Sequence, residues 1–140
     1  MDLPNRIVAE MMRNDFFSQW LEIIVESVTE GNCRLKMTVR KEMVNGFGIA
    51  HGGIAFSLAD SALAFASNSR NRKSLVIETS VSFTNTVKMG DVLTATASEI
   101  NLTKRTGVYQ VLVANASGKA VAHFKGVVIR KDELWFPEGE

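Results

Sequence analysis

Apolar residues recur along the chain with two different periods. Near the start, Ile7, Met11 and Phe16 follow Pro4 at near-helical spacing, which predicts a short amphipathic helix. Leu21 to Val28 and Cys33 to Val39 are rich in strand-forming residues around Glu30-Gly31-Asn32, the signature of a hairpin. A glycine-rich segment, NGFGIAHGG over residues 45 to 53, precedes a helix expected from Ile54 to about Ser69. Its apolar residues (Ile54, Phe56, Leu58, Leu63, Phe65) lie all around the axis, and most of the rest are Ala or Ser. A helix without a polar face is buried on most sides, and small side chains let other backbone come close.

Four strand segments follow the polar stretch Ser69 to Ser74: Leu75 to Thr86, Val92 to Leu102, Val108 to Asn115 and Ala120 to Ile129. Lys104 to Gly107 and Asn115 to Lys119 supply turns that join consecutive strands antiparallel. The order is helix, two strands, buried helix, four strands. Runs of strands around one helix predict an α+β fold with an antiparallel sheet rather than alternating βαβ units. At 140 residues the chain suits one domain with one core, burying about two thirds of its unfolded surface. Residues 132–140 are expected to form a flexible tail.

Composition narrows the classes. Sixteen Lys+Arg against fifteen Asp+Glu leave a net charge of +1, too little to recruit nucleic acid or an anionic membrane. Cys33 is the only cysteine, so no intramolecular disulfide forms and a reducing cytoplasm is the expected location. The first residues lack the apolar run of a secretory signal, and Met43 to Ser69 is too rich in glycine to suit a membrane span.

One charge is out of place. Asp60 is the only charged side chain between Glu42 and Arg70, in the middle of the helix expected to be buried. An unpaired carboxylate out of water costs several kcal/mol or more, so it is paired with a basic group, protonated or used. His51, nine positions earlier, is followed by Gly52 and Gly53 at the helix start, where N–H groups are free and the dipole is positive. An oxyanion would be stabilised there, and glycine lets an acyl group approach the backbone. Asn45 offers a side-chain donor for the same oxygen. Each has a plainer reading: a satisfied buried acid, a capping histidine, an Asn-Gly turn. Together they describe two donors for a carbonyl oxygen and a carboxylate to attack the carbon or activate water.

Other chemistries fit less well. In Gly46-x-Gly48-x-x-His51, histidine stands where a dinucleotide loop needs its third glycine. His51, His123 and Cys33 have no zinc spacing, so no metal or cofactor is expected. There is no G-x-S-x-G elbow and no phosphate-binding loop.

Asn45-Gly46, His51-Gly52-Gly53, Phe56, Leu58-Ala59-Asp60 and Asn68 resemble the motif of the PaaI-type hotdog-fold acyl-CoA thioesterases. Gly90 to Ala97 and Lys104 to Tyr109 match the same family downstream, so the resemblance runs from about residue 20 to 130. It implies a long central helix wrapped by an antiparallel sheet, homodimers often paired into homotetramers, and active sites at the dimer interface. It also implies that Asn45 and the Gly52 N–H polarise the thioester carbonyl, that His51 supports the loop, and that Asp60 of the facing subunit acts on the carbon. The substrate it favours is phenylacetyl- or hydroxyphenylacetyl-CoA, or another aryl or medium-chain acyl-CoA. Gly53, Phe47, Ser80, Lys88 and Arg105 are candidate substrate contacts, with Arg70, Arg72, Lys73 and Lys104 further candidates for the CoA phosphates, and Met43 and Ile49 for the acyl group. Some relatives carry a Ser or Thr on the strand after the helix; counting from Gly90-Asp91 puts that position near Val76, with Glu78 and Ser80 expected on the same face. A hotdog dehydratase and a non-catalytic acyl-CoA-binding protein are the alternatives.

Overall fold

The computed structural model describes residues 1–139. Helix α1 (Leu3–Asn14) and the short α2 (Phe16–Trp20) lead into β1 (Ile24–Thr29) and β2 (Asn32–Thr38). A short 3-10 turn at Lys41–Met43 precedes helix α3 (Gly52–Asn68), and then come β3 (Arg72–Phe83), β4 (Val92–Leu102), β5 (Thr106–Ala114) and β6 (Ala120–Leu134). The expected single N-terminal helix is two, because Asp15 breaks it: its backbone closes α1 on Met12 while its side chain caps α2.

The six strands make one antiparallel sheet in the order β1-β2-β4-β5-β6-β3. It curves around α3, which touches every strand. The architecture is the one the resemblance implies. Leu58, Ala59, Ala62, Leu63, Phe65 and Ala66 of α3 are fully buried against Leu35, Leu93, Ala95, Ala97, Val111 and Val113 of the sheet. Alanines allow the sheet this close, and where α3 carries Leu63 the sheet answers with Gly126: an added Cβ there would overlap the Leu63 side chain.

The helix is not buried all round. Gly53, Ser57, Asp60 and Ala64 form a stripe at helical spacing along one flank, each exposed or half-buried, and the half-buried Phe56 packs edge-on against Phe124 of β6. β3 is an edge strand of 12 residues whose outer edge has no partner among the described residues. The expected tail is also corrected. β6 continues through Leu134, the Trp135 indole N–H donates to Asn68 (2.9 Å) and the Phe136 backbone N–H to Asn71 (3.0 Å), so residues 132–136 are tied to the body. No described helix is long and apolar enough to cross a membrane.

Candidate active site

The Asn45–Gly52 turn is built by its own backbone. Asn45 N–H donates to the Ile49 carbonyl (2.7 Å), Gly48 N–H to the Asn45 carbonyl (3.0 Å) and His51 N–H to the Met43 carbonyl (2.9 Å). Gly48 turns the chain at φ +79°, a conformation that side chains oppose. The Asn45 side-chain oxygen accepts from the N–H groups of Phe47 (2.9 Å) and Ile49 (3.4 Å). Its amide nitrogen is thereby oriented, and no acceptor in the described chain takes its protons.

His51 is the residue before the first turn of α3, at φ −56° and ψ 138°, and its side chain makes no capping bond. The capping reading of His51 is therefore set aside. Gly52 and Gly53 open the helix, and among the described residues neither N–H has an acceptor. Gly52 also packs closely: a Cβ there would lie 3.1 Å from the Phe83 ring, which would have to give by a few tenths of an ångström.

Asn45, Ile49, Ala50, His51, Gly52 and Ala55 line one wall of a cleft of about 400 Å³. Phe83 to Val87, Leu93 and Val121 close the other side. Phe83 ends β3 at this wall, and Thr84 to Thr86, expected only as the end of a strand, leave the sheet to continue it. β3 stops at Phe83; Thr84 then bonds to Val121 and the Asn85 amide donates to the Ala120 carbonyl (2.6 Å).

Asp60 does not line the cleft. It lies eight residues along α3 from Gly52, about 12 Å at the helical rise. It is half-buried, and no cation or hydrogen-bond donor among the described residues pairs with it, so the satisfied-acid reading fails. Its pKa is raised, first by desolvation and then by the charge of Asp15.

The candidate substrate contacts scatter. Phe47 projects from the turn, 90% exposed, and Gly53 is on the open stripe of α3. Lys88 is held beside Ile49 by a backbone bridge, with its side chain at the surface. Arg105 pairs with Asp132 (3.0 Å) beside the start of β3, at the opposite end of that strand from the cleft. Arg70 is engaged by Glu99 (2.8 Å), Lys73 pairs with Glu133, and Arg72 donates to three backbone carbonyls. Met43 is buried beneath the turn, whereas Ile49 reaches the cleft.

Ser80 needs a correction of face. A bulge between Val76 and Glu78 breaks the period-2 count. Thr79 then pairs with Gly126 on the helix side, and Ser80 pairs with Lys125 on the outer side. The residue that shares the inner face with Val76 is Thr79, which a strict alternation misses. Cys33 is buried in β2, and desolvation pushes its thiol up to about 12, which suits a core residue and not a nucleophile.

Comparison with known proteins gives consistent findings. The model of the thioesterase superfamily matches residues 47–122, more than half of the chain. The chain is 40% identical over 116 residues to the acyl-coenzyme A thioesterase PaaI of Escherichia coli, covering 83% of each protein. The crystallised E. coli PaaI from the phenylacetic acid degradation operon superposes with a TM-score of 0.91 at 35% identity, covering 95% of this chain and 99% of that one. A mutant of the phenylacetic acid degradation protein PaaI from Thermus thermophilus gives 0.81 at 35% identity, covering 84% and 100%.

Proposed function

We propose that this chain, which belongs to the thioesterase superfamily and is a PaaI-type hotdog thioester hydrolase, cleaves aryl or medium-chain acyl-CoA thioesters with Asp60 as its reactive carboxylate. The observation that carries the assignment of residues is the unmet bonding capacity at the two ends of one helix segment. Among the described residues, Gly52 N–H and the Asn45 amide are fixed donors without acceptors beside an apolar cleft, and Asp60 is a carboxylate without a partner.

In this reading the thioester carbonyl accepts from Gly52 N–H and the Asn45 amide, which stabilise the oxyanion as it forms. His51 holds the turn in place. Asp60 either adds to the carbonyl carbon, giving a mixed anhydride that water then opens, or takes a proton from the attacking water. In both routes the electrons of the C–S bond leave with the CoA thiolate. A thiol of pKa roughly 8.5 departs with little acid help, so two donors and one carboxylate suffice. Thr79, brought to the inner face of β3 by the bulge, is the strand hydroxyl assigned to orienting Asp60 or its water.

The separation of about 12 Å between Gly52 and Asp60 exceeds the reach of a single Asp side chain, so the two act on one carbonyl only from different chains. The unpaired edge of β3 and the open stripe of α3 support a homodimer formed across that edge, with two complete sites. Leu75, Ile77 and Ile129, exposed on the outer side, support pairing of dimers into a tetramer.

The relative's place in phenylacetic acid degradation favours phenylacetyl-CoA and its ring-hydroxylated forms. The test is release of free thiol from a panel of acyl-CoAs including these, with Asp60→Asn as control. Hydrolysis that vanishes in Asp60→Asn while assembly persists is the expected result; undiminished turnover overturns the role of Asp60. Binding without thiol release would favour the ligand-binding alternative, and water loss from a β-hydroxyacyl thioester the dehydratase.

A further inference from the structure

Asp60 has a neighbour that the hydrolysis reading does not use. Asp15, at the junction of α1 and α2, is half-buried and held at three points: Ser18 N–H donates to its Oδ1 (3.0 Å), the Ser18 hydroxyl to its Oδ2 (2.6 Å), and its carbonyl accepts from Gln19 N–H (3.0 Å). The Ser18 Oγ lies 2.8 Å from the Ser61 Oγ. Because the Ser18 proton is committed to the carboxylate, Ser61 is the donor of that second bond. Both serines are buried, and Ser61 is the residue after Asp60 on α3. A continuous hydrogen-bonded chain therefore ties the carboxylate of Asp15 to the helical turn that carries Asp60.

The charges around this pair are accounted for elsewhere. On α1, Glu10 pairs with Arg13; on β1, Glu26 pairs with Arg34; on β4, Glu99 pairs with Arg70. Glu78 of β3 and Lys125 of β6 are exposed, Lys125 on the outer side of the sheet. Among the described residues no cation pairs with Asp15 or Asp60. A fold that buries one carboxylate near another, and supplies no cation, gains no stability from the arrangement.

We propose that Asp15 is a positioning residue for Asp60: through Ser18 and Ser61 it anchors the reactive turn, and it stands as a like charge one short hydrogen-bonded chain away from that turn. The proposal rests on Asp60 being the reactive carboxylate. The like charge is the second cause of the raised pKa of Asp60, after desolvation. A higher pKa makes a better base at the cost of activity in acid, where the carboxylate is protonated.

Asp15→Asn is the discriminating variant, since Asn keeps the cap on Ser18 N–H and removes the charge, while its NH2 group turns the bond to the Ser18 hydroxyl from accepted to donated. The measurement is kcat/KM for thiol release from about pH 5 to 9 on the intact oligomer. The acid limb is expected to move to lower pH, with the plateau lowered by about threefold, and Asp15→Glu to restore the parental limb. Ser18→Ala loosens the carboxylate while keeping its charge; it is expected to lower the plateau with the limb close to that of the parent, and it serves if Asp15→Asn folds poorly. An acid limb that coincides in Asp15→Asn and parent overturns the proposal, as does a limb that moves equally in Asp15→Glu or a Ser18→Ala plateau equal to the parent's. Activity retained by Asp60→Asn would instead overturn the hydrolysis reading itself, so the two failures are told apart.

Discussion

If one chain supplies the carbonyl donors and another the carboxylate, two dead variants should make a live enzyme. The first is Gly52→Pro, which deletes the donor N–H. The backbone is prepared for it: Gly52 opens α3, where proline is tolerated, and His51 before it is at φ −56° and ψ 138°, within the range that a following proline imposes. Phe83, half exposed at the cleft, has room to yield to the ring. Loss of one such donor lowers kcat by about a hundredfold to a thousandfold, or roughly 3 to 4 kcal/mol. The second variant is Asp60→Asn. Refolded together in equal amounts, half of the dimers are mixed, and each mixed dimer joins the intact turn of one chain to the intact Asp60 of the other. One of its two sites is restored, so thiol release should recover to about a quarter of the parental rate. Separately refolded samples combined just before assay are the control and should stay inactive. The argument fails if the co-refolded mixture, shown by two affinity tags to contain mixed dimers, is no more active than the variants alone. It would then follow that Gly52 and Asp60 of one chain serve one site, against the distance of about 12 Å along α3.

Two further outcomes follow from the packing and the electrostatics. Gly126→Ala drives a methyl into Leu63, which is fully buried and cannot retreat, and should cost about 1 to 3 kcal/mol in urea unfolding; a variant as stable as the parent would show that the sheet yields there. Asp60→Asn should raise thermal stability at neutral pH by roughly 1 to 3 °C. The sign follows from the raised folded-state pKa: ionised Asp60 opposes folding, so its contribution falls as pH rises from its ordinary value of 3.8 through the raised one, and remains unfavourable above. The gain should therefore disappear in scans run below pH 3.8, and a gain that persists there would refute desolvation as its cause.

Much was legible in the sequence because it depends on local pattern. The small-residue helix, the hairpin at Gly31 and the four later strands follow from period and turn chemistry. Asp60 stood out because charge is costly where its neighbours are apolar. The turn at Asn45 to Gly52 stood out because free N–H groups and glycine suit an oxyanion. Resemblance then supplied what pattern lacks, the expectation that the two belong to facing chains.

Tertiary structure decided what depends on register and on contact between distant segments. One bulge after Val76 puts Thr79 on the inner face and Ser80 outside, and no single-strand periodicity reveals where an extra residue is absorbed. The apparent tail at 132–136 is held by Asn68 and Asn71, more than sixty residues away. Asp15 carried no signal of its own in the sequence, and gained one only when folding brought α2 against α3 and joined Ser18 to Ser61. The sequence by itself determined which side chains can do chemistry and which segments carry them, because residue type and period are local. Which side chains meet, on which face and across how many ångströms, was decided only when the sheet closed around α3.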